Sequence, residues 1–234
     1  LEEEGRKLNR GFFSRIEKRR PYISCKIASA LDGGIALSSG ESKWITSSDS
    51  RKDVHKIRAY SDAILTGTGT IQKDNPQLTS RDSGLDKGSY KQPLRVVVDR
   101  NNVLTGKENI FSSGTQTILF INQDSQLKDK ENVEIAKLRA TPNLPLEKVV
   151  RYLAEEKLIN NLMVEAGSGL INSLLLERLV DEFILYKGPK LLGENRQSFV
   201  NLDVATEKLG TIDLKIDDIE EIGEDIKYSL LPRY

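Results

Sequence analysis

Leu94-Arg95-Val96-Val97-Val98-Asp99 is the stretch whose reading decides the fold. Its centre is three consecutive valines, β-branched and apolar, with no polar residue alternating between them. A strand with one wet face alternates; a strand that does not is covered on both faces, as in a parallel sheet between two layers of helix. The run Thr117-Ile118-Leu119-Phe120-Ile121 reads the same way, and residues 162–164 form a shorter buried strand. Residues 63–66 make a strand that enters Gly67-Thr68-Gly69-Thr70. The covering helices follow from capping and periodicity. Ser47, Ser48 and Asp49 offer capping oxygens ahead of a segment reaching Tyr60, with Val54, Ile57 and Tyr60 facing inward. Residues 146–158 are amphipathic, and residues 168–179 form a helix that begins at a glycine turn. Toward the chain ends the pattern changes. Residues 22–28 alternate apolar and polar side chains, and Asp32-Gly33-Gly34 supplies the turn of a hairpin, which predicts a strand pair. Residues 183–187, 211–216 and 225–230 also alternate and predict antiparallel strands. The expectation is an α/β fold: a mixed, mainly parallel sheet flanked by helices, with antiparallel strands at the C-terminus. The polar stretches 82–92, 101–115 and 122–132 read as surface connections and poor places to seek chemistry.

The 234 residues suit one large α/β domain. Hydrophobic residues at 38% and charged residues at 30% supply a core and exclude a largely disordered chain. Thirty-five basic residues balance thirty-five acidic ones, so no global field attracts nucleic acid or anionic lipid, and any anion site must be local. With Cys25 and His55 the only residues of their kinds, neither a disulfide framework nor a Cys/His zinc site can be assembled within the chain, and no metal site is expected. No apolar run reaches the roughly 20 residues of a membrane helix. A cytoplasmic location fits these features. Residues 1–20 read as a polar helix or tail carrying Leu8, Phe12, Phe13 and Ile16, stopped by Pro21.

Chemistry is sought first at the glycine turns. Val164-Glu165-Ala166-Gly167-Ser168-Gly169-Leu170 sets two glycines between a strand and a helix, where backbone N–H groups can approach a pyrophosphate. The full dinucleotide fingerprint is not met, because Asn172 stands where a third small residue belongs; an ordinary glycine turn is the alternative. Gly67-Thr68-Gly69-Thr70 also follows a strand, so the two turns can line one cleft. Glu165 ends a buried strand, where a carboxylate needs compensation. Asp74, in Lys73-Asp74-Asn75-Pro76, has a turn-forming role as its alternative. Strand parity sets Lys26 on the face of Tyr22, Ser24 and Ala28, toward the cleft or toward solvent at a sheet edge. Arg51, Lys52, Lys56 and Arg58 make their helix basic on part of its surface; a solvated face explains them, although Arg58 could reach a phosphate. Trp44 is able to stack on a planar ring, while composition alone favours an aromatic anchor in the core. His55 reads as a surface residue, and Met163 and Cys25 as packing residues.

Ser39-Gly40-Glu41-Ser42-Lys43-Trp44-Ile45-Thr46, Asp62-Ala63-Ile64-Leu65-Thr66-Gly67, Lys73-Asp74-Asn75-Pro76-Gln77-Leu78-Thr79 and Val164-Glu165-Ala166-Gly167 together resemble the reductase half of the bacterial bifunctional riboflavin-biosynthesis deaminase-reductase. Val180-Asp181-Glu182 and Gly188-Pro189-Lys190-Leu191-Leu192-Gly193 extend the resemblance, which runs in order from Pro21 to the C-terminus. Residues 1–20 look like the linker or the end of the family's deaminase half, and residues 21–234 like its pyrimidine reductase domain. The His-x-Glu and Pro-Cys-x-x-Cys signature of the zinc deaminases is absent, so deamination by this chain is not expected.

The resemblance implies a dihydrofolate-reductase-like fold and NADPH-dependent reduction of 5-amino-6-(5-phosphoribosylamino)uracil, with hydride delivered to the sugar's C1. It implies cofactor contacts at Ala28, Trp44, Thr70, Asp74 and the turn and helix start Gly167, Ser168, Gly169, Leu170, Ile171, Asn172 and Ser173. Substrate contacts are implied at Ser42, Arg58, Leu78, Arg81 and Glu165, with Arg58 and Arg81 offering forked donors to the phosphate. Lys26, Asp74 and Glu165 are the catalytic candidates. Arg100 departs from the family's small polar residue and is expected to touch the cofactor's 2′-phosphate. A homodimer, and a deaminase domain in the native chain, are the implied partners. The rivals are a reductase acting before deamination, a pterin reductase of the same fold, and a nucleotide-binding module without turnover.

Overall fold

The computed structural model describes residues 2–41, 44–81, 83–86, 88–112, 114–122, 127, 130–138, 145–200 and 211–234. The valine-rich stretch is strand β4 (Leu94–Asp99), paired in parallel with β3 (Ala63–Gly67) on one side and β5 (Thr117–Ile121) on the other. Beyond β5 lies β6 (Val133–Lys137), and beyond β3 come β7 (Asn161–Val164), β1 (Tyr22–Ala30) and β8 (Glu182–Gly188), all parallel to their neighbours. The C-terminal hairpin of β10 (Asp213–Ile222) and β11 (Asp225–Arg233) adds antiparallel to β8, giving the order β10-β11-β8-β1-β7-β3-β4-β5-β6.

Both faces of β4 are covered. Val96 and Val98 join a core that takes Val149, Val150 and Leu153 from α5 (Leu146–Glu155), and Ile171, Leu174 and Leu175 from α6 (Ser168–Leu176). Val97 points into the opposite core, with Val54 of α3 (Ser48–Tyr60), Ile71 of α4 (Thr68–Asp74), and Ile110 and Phe111. Ser47 caps α3 as its position suggests, its side chain accepting from the Ser50 N–H at 3.3 Å. Ahead of the sheet, α1 (Glu2–Leu8) and α2 (Arg10–Lys18) are held by polar contacts: Arg15 donates to Asn160 at 2.7 Å and Lys18 meets Asp181 at 2.9 Å.

Five expectations are corrected. The strand β2 (Gly34–Leu37) does not pair with β1; it pairs antiparallel with β9 (Arg196–Ser198) in a separate sheet. β8 fills one edge of β1 from Ser24 to Ala30, β7 fills the other only from Tyr22 to Cys25, and β2 takes β9 as its partner. Asp32 turns the chain toward the later loop instead, accepting from the N–H groups of Leu192 and Gly193 at 2.8 and 2.9 Å. Second, β8 is antiparallel only on its β11 side and parallel to β1 on the other. Third, the stretch 101–115 is not merely surface, because Leu104, Ile110 and Phe111 are buried in the second core. Fourth, Tyr60 is exposed. Last, Trp44 is 60% exposed, no core anchor.

One close approach fixes the wall that carries Trp44. A Cβ added at Gly188 would lie 2.1 Å from the Ile45 carbonyl oxygen. Gly188→Ala is therefore expected to destabilise the chain by about 1–3 kcal/mol, read as a lowered urea midpoint at unchanged slope.

Candidate active site

The chain leaves β3 through α4 to reach β4 on one side, and leaves β7 through α6 to reach β8 on the other, yet β3 and β7 are neighbours. Their connections part at that point, and such divergence opens a crevice at the carboxyl ends of parallel strands. A cavity of about 680 Å³ lies there, lined by both glycine turns. Gly167 caps α6 without a side-chain hydrogen bond, leaving the first N–H groups of that helix to the crevice. A Cβ added at Gly167 or Gly169 would meet no atom within 4 Å, so these positions keep open the space beside the helix start. Size, shape and free backbone donors fit the phosphates of a nucleotide.

A buried charge cluster forms the floor. Glu165 follows β7, and its N–H donates to the Leu65 carbonyl at 3.0 Å, while Thr66 Oγ1 donates to its carbonyl at 2.7 Å. The backbone is thus locked to β3. Its carboxylate takes a fork from Arg58, Nε to Oε1 at 2.5 Å and an Nη to Oε2 at 2.9 Å, and Arg58 also donates to the Thr79 carbonyl at 3.1 Å. Lys26 Nζ stands 4.0 Å from Oε2. Burial pushes the Glu165 carboxyl up, but the charge and hydrogen bonds of Arg58, with the Lys26 charge behind them, outweigh it and hold the group at about 2. Burial pushes the Lys26 ammonium below its ordinary range, against the opposing attraction of Glu165, and Arg58 adds to the lowering. Asp74, at the end of α4, also favours the charged amine.

Lys26, Ala28, Trp44, Arg58, Thr70, Asp74, Leu78, Arg100, Glu165, Gly167, Ser168, Gly169, Leu170 and Ile171 all line this cavity. Asn172 and Ser173 do not; Ser173 turns its hydroxyl back to the Gly169 carbonyl at 2.9 Å. Arg81 is exposed and outside the lining, its backbone N–H donating to His55 Nδ1 at 3.2 Å. Ser42 lies outside the described residues. Arg58, expected to present a fork to a phosphate, turns that fork onto Glu165. The lining also holds Arg51, Lys73 and Asn101, none of them among the expected site residues. Arg51 and Arg58 stand seven residues apart with buried Val54 between them, a two-turn spacing that puts all three on one helix face. That spacing was the available signal. Asn101 sits in a stretch set aside as surface. Among the described residues no group of three or more His, Cys, Asp and Glu side chains is placed to hold a metal ion, and no helix is long and apolar enough to cross a membrane.

Residues 21–228 match the family model described as the RibD C-terminal domain. The riboflavin biosynthesis protein RibD of Haemophilus influenzae is 34% identical over 241 aligned residues, covering 100% of this chain and 64% of the relative. The 5-amino-6-(5-phosphoribosylamino)uracil reductase of Buchnera aphidicola subsp. Acyrthosiphon pisum is 32% identical over 206 residues, 84% of this chain and 99% of the relative. The solved diaminohydroxyphosphoribosylaminopyrimidine deaminase/5-amino-6-(5-phosphoribosylamino)uracil reductase of Thermotoga maritima superposes with a TM-score of 0.82 at 31% identity, over 100% of this chain and 62% of its own. This chain therefore spans less than two thirds of the longer relatives. Because the matched segment contains every parallel strand of the large sheet and every residue lining the crevice, the chain belongs to the RibD C-terminal domain family.

Proposed function

We propose that this chain reduces 5-amino-6-(5-phosphoribosylamino)uracil to 5-amino-6-(5-phosphoribitylamino)uracil with NADPH. The observation that carries the reading is the joining, in one cavity, of a bare helix start suited to a pyrophosphate with the buried Lys26–Glu165–Arg58 cluster. The name of the Buchnera relative, whose length the match covers almost entirely, supports the same substrate.

The ribosylamine can open to an imine, whose C1 accepts hydride while its nitrogen takes a proton. The Gly167–Leu170 backbone with Ala28, Trp44 and Thr70 would hold NADPH, which would supply the hydride. The remaining work belongs to the side chains. Lys26 holds its proton more loosely than an exposed lysine does and is the group that gives it to the nitrogen. Glu165 stays ionised throughout the neutral range, which makes it an acceptor for sugar hydroxyl or amine donors and removes it as a proton source. Arg58 fixes that carboxylate. Asp74 strengthens the positive charge of Lys26.

The test is to incubate the purified chain with NADPH and each ribosylaminopyrimidine phosphate, deaminated and not, while following cofactor oxidation. Rapid oxidation with the uracil alone is expected. Tight NADPH binding without oxidation would instead mark a silent binding module.

Arg100 follows β4 at the edge of the same cavity and gives the preference for the phosphorylated cofactor. Arg100→Ala is expected to cut the NADPH-over-NADH ratio of kcat/KM about 10- to 100-fold, the worth of one charge-assisted hydrogen bond. An unchanged ratio refutes this role. A deaminase unit, supported by the two-activity name of the Thermotoga relative, and a second copy of this chain complete the reading as partners. Exposed Leu214, Ile216 and Ile219 on the edge strand β10 support the second copy, which a mass measurement in solution checks.

A further inference from the structure

The segment ahead of α3 forms one wall of the cavity with Trp44, Ile45 and Thr46. Its backbone is held from the sheet side. Lys190 Nζ donates to the Trp44 carbonyl, the Ile45 carbonyl rests on Gly188, and the Ser47 N–H donates to Asp225 at 2.7 Å. These contacts stop at the backbone, and Trp44 is 60% exposed. A large ring at a cavity mouth samples several rotamers, and a ligand that needs one of them binds more weakly by the fraction of time the ring spends elsewhere.

Arg51 lies over that ring. Its guanidinium carbon lies 4.3 Å from the centroid of the Trp44 ring, within cation–π range. Arg51 is itself fixed, with Nη1 donating to the Thr46 carbonyl at 2.9 Å, and the first turn of its helix is pinned where Ser50 Oγ donates to Asp225 at 2.5 Å. Covering one face of the indole leaves one face for a ligand.

We infer that Arg51 is a positioning residue for the cofactor: stacked on one face of Trp44, it holds the ring so that the other face receives a planar ring of the pyridine nucleotide. The inference rests on the NADPH reading above and assigns a role to a residue that only appeared to be a solvated charge on its helix. It also distinguishes two functions of the one side chain, the tie to Thr46 and the cover on the indole.

Trp44 is the only tryptophan of the 234 residues, so fluorescence excited at the red edge of indole absorption, where the seven tyrosines do not absorb, reports on it alone. The variants are Arg51→Gln, whose amide can still donate to the Thr46 carbonyl but carries no charge, and Arg51→Lys, which keeps the charge without the flat guanidinium. In the free full chain, acrylamide should quench Trp44 more strongly in Arg51→Gln than in the wild type. The Kd for NADPH, from titration of the same fluorescence, should rise about three- to tenfold with kcat within about twofold, and Arg51→Lys should fall between. Wild-type quenching and Kd in Arg51→Gln overturn the inference, even with a lowered melting temperature, because Arg51 is then only a tie between helix and loop. Should Arg51→Gln not fold, Arg51→Lys decides: values equal to the wild type overturn the inference. Failure of the wild type to bind NADPH sinks the functional reading, while quenching of the free chain still decides whether Arg51 fixes the ring.

Discussion

Replacing Lys26 with methionine is expected to lower kcat for the proposed reduction about a hundred- to ten-thousandfold, the usual worth of a positioned general acid. The fold should survive. Methionine is apolar and of similar length, and Glu165 keeps both hydrogen bonds from Arg58, so no buried charge loses its nearest partner. The pH profile separates proton donation from mere packing. Burial, the largest influence on Lys26, lowers its proton affinity, with Glu165 pulling the other way. If the ammonium is the donor, wild-type kcat must fall as pH rises through a value below that of an exposed lysine. The residual rate of Lys26→Met should lack that alkaline limb. A variant with near-wild-type kcat, or one that retains the limb, would remove Lys26 from the chemistry. KM for NADPH should change little in either case, since the lysine stands beside Glu165 rather than at the start of α6.

The parts of the fold that were legible in the sequence are those whose physics is local. Three adjacent valines say that both faces of β4 are dry, and the structure divides them between two cores, Val96 and Val98 in one and Val97 in the other. The start of α3 was legible because a serine cap acts over three residues. Pairing is another matter. The turn at Asp32-Gly33-Gly34 carries hairpin chemistry, but β8 takes one edge of β1 from Ser24 to Ala30 and β9 takes β2, both from more than 150 residues away in sequence. No local pattern encodes that competition. β6 was invisible for a different reason: its residues Val133–Lys137 include Glu134 and Lys137, and none of the five is buried, so neither a dry run nor a clean alternation announces it.

The site divides in the same way. Glycines between a strand and a helix are a local signal, and both turns do line the cavity. Strand parity sets Lys26 and Ala28 on one side of β1 but leaves open whether that side meets the cleft or solvent; both line the cavity. What the sequence hides is commitment. Arg58 reads as a spare cation on a basic helix, whereas its partner Glu165 lies 107 residues further on. Trp44 misleads in the opposite direction, since a lone large aromatic suggests a core and here sits exposed under an arginine.

That commitment yields the second large effect. Glu165→Gln keeps the shape of the side chain and removes its charge, leaving the Arg58 guanidinium, 14% exposed, without its counter-charge. Breaking a buried pair from one side is expected to destabilise the chain by about 3–5 kcal/mol, whereas Glu165→Gln combined with Arg58→Met should recover much of the loss, because the guanidinium is no longer left unpaired and Lys26, already pushed toward the neutral amine by burial, can release its proton. The wild type should show the same interaction through pH. Burial opposes ionisation of Glu165, Arg58 more than offsets it, and the folded carboxyl stays near 2, below its unfolded value. A depressed carboxylate stabilises the fold fully above its unfolded pKa, and that contribution drains away as pH falls from about 4.3 through the folded value. Urea midpoints measured across this acid window should therefore fall more steeply for the wild type than for Glu165→Gln, which has no proton to take up there. Parallel slopes would mean that the pair does not govern acid stability. Activity separates the two roles proposed for the carboxylate: the double variant should regain stability but not turnover, since a neutral amide is a weaker acceptor for the sugar's donors whichever way Arg58 is relieved.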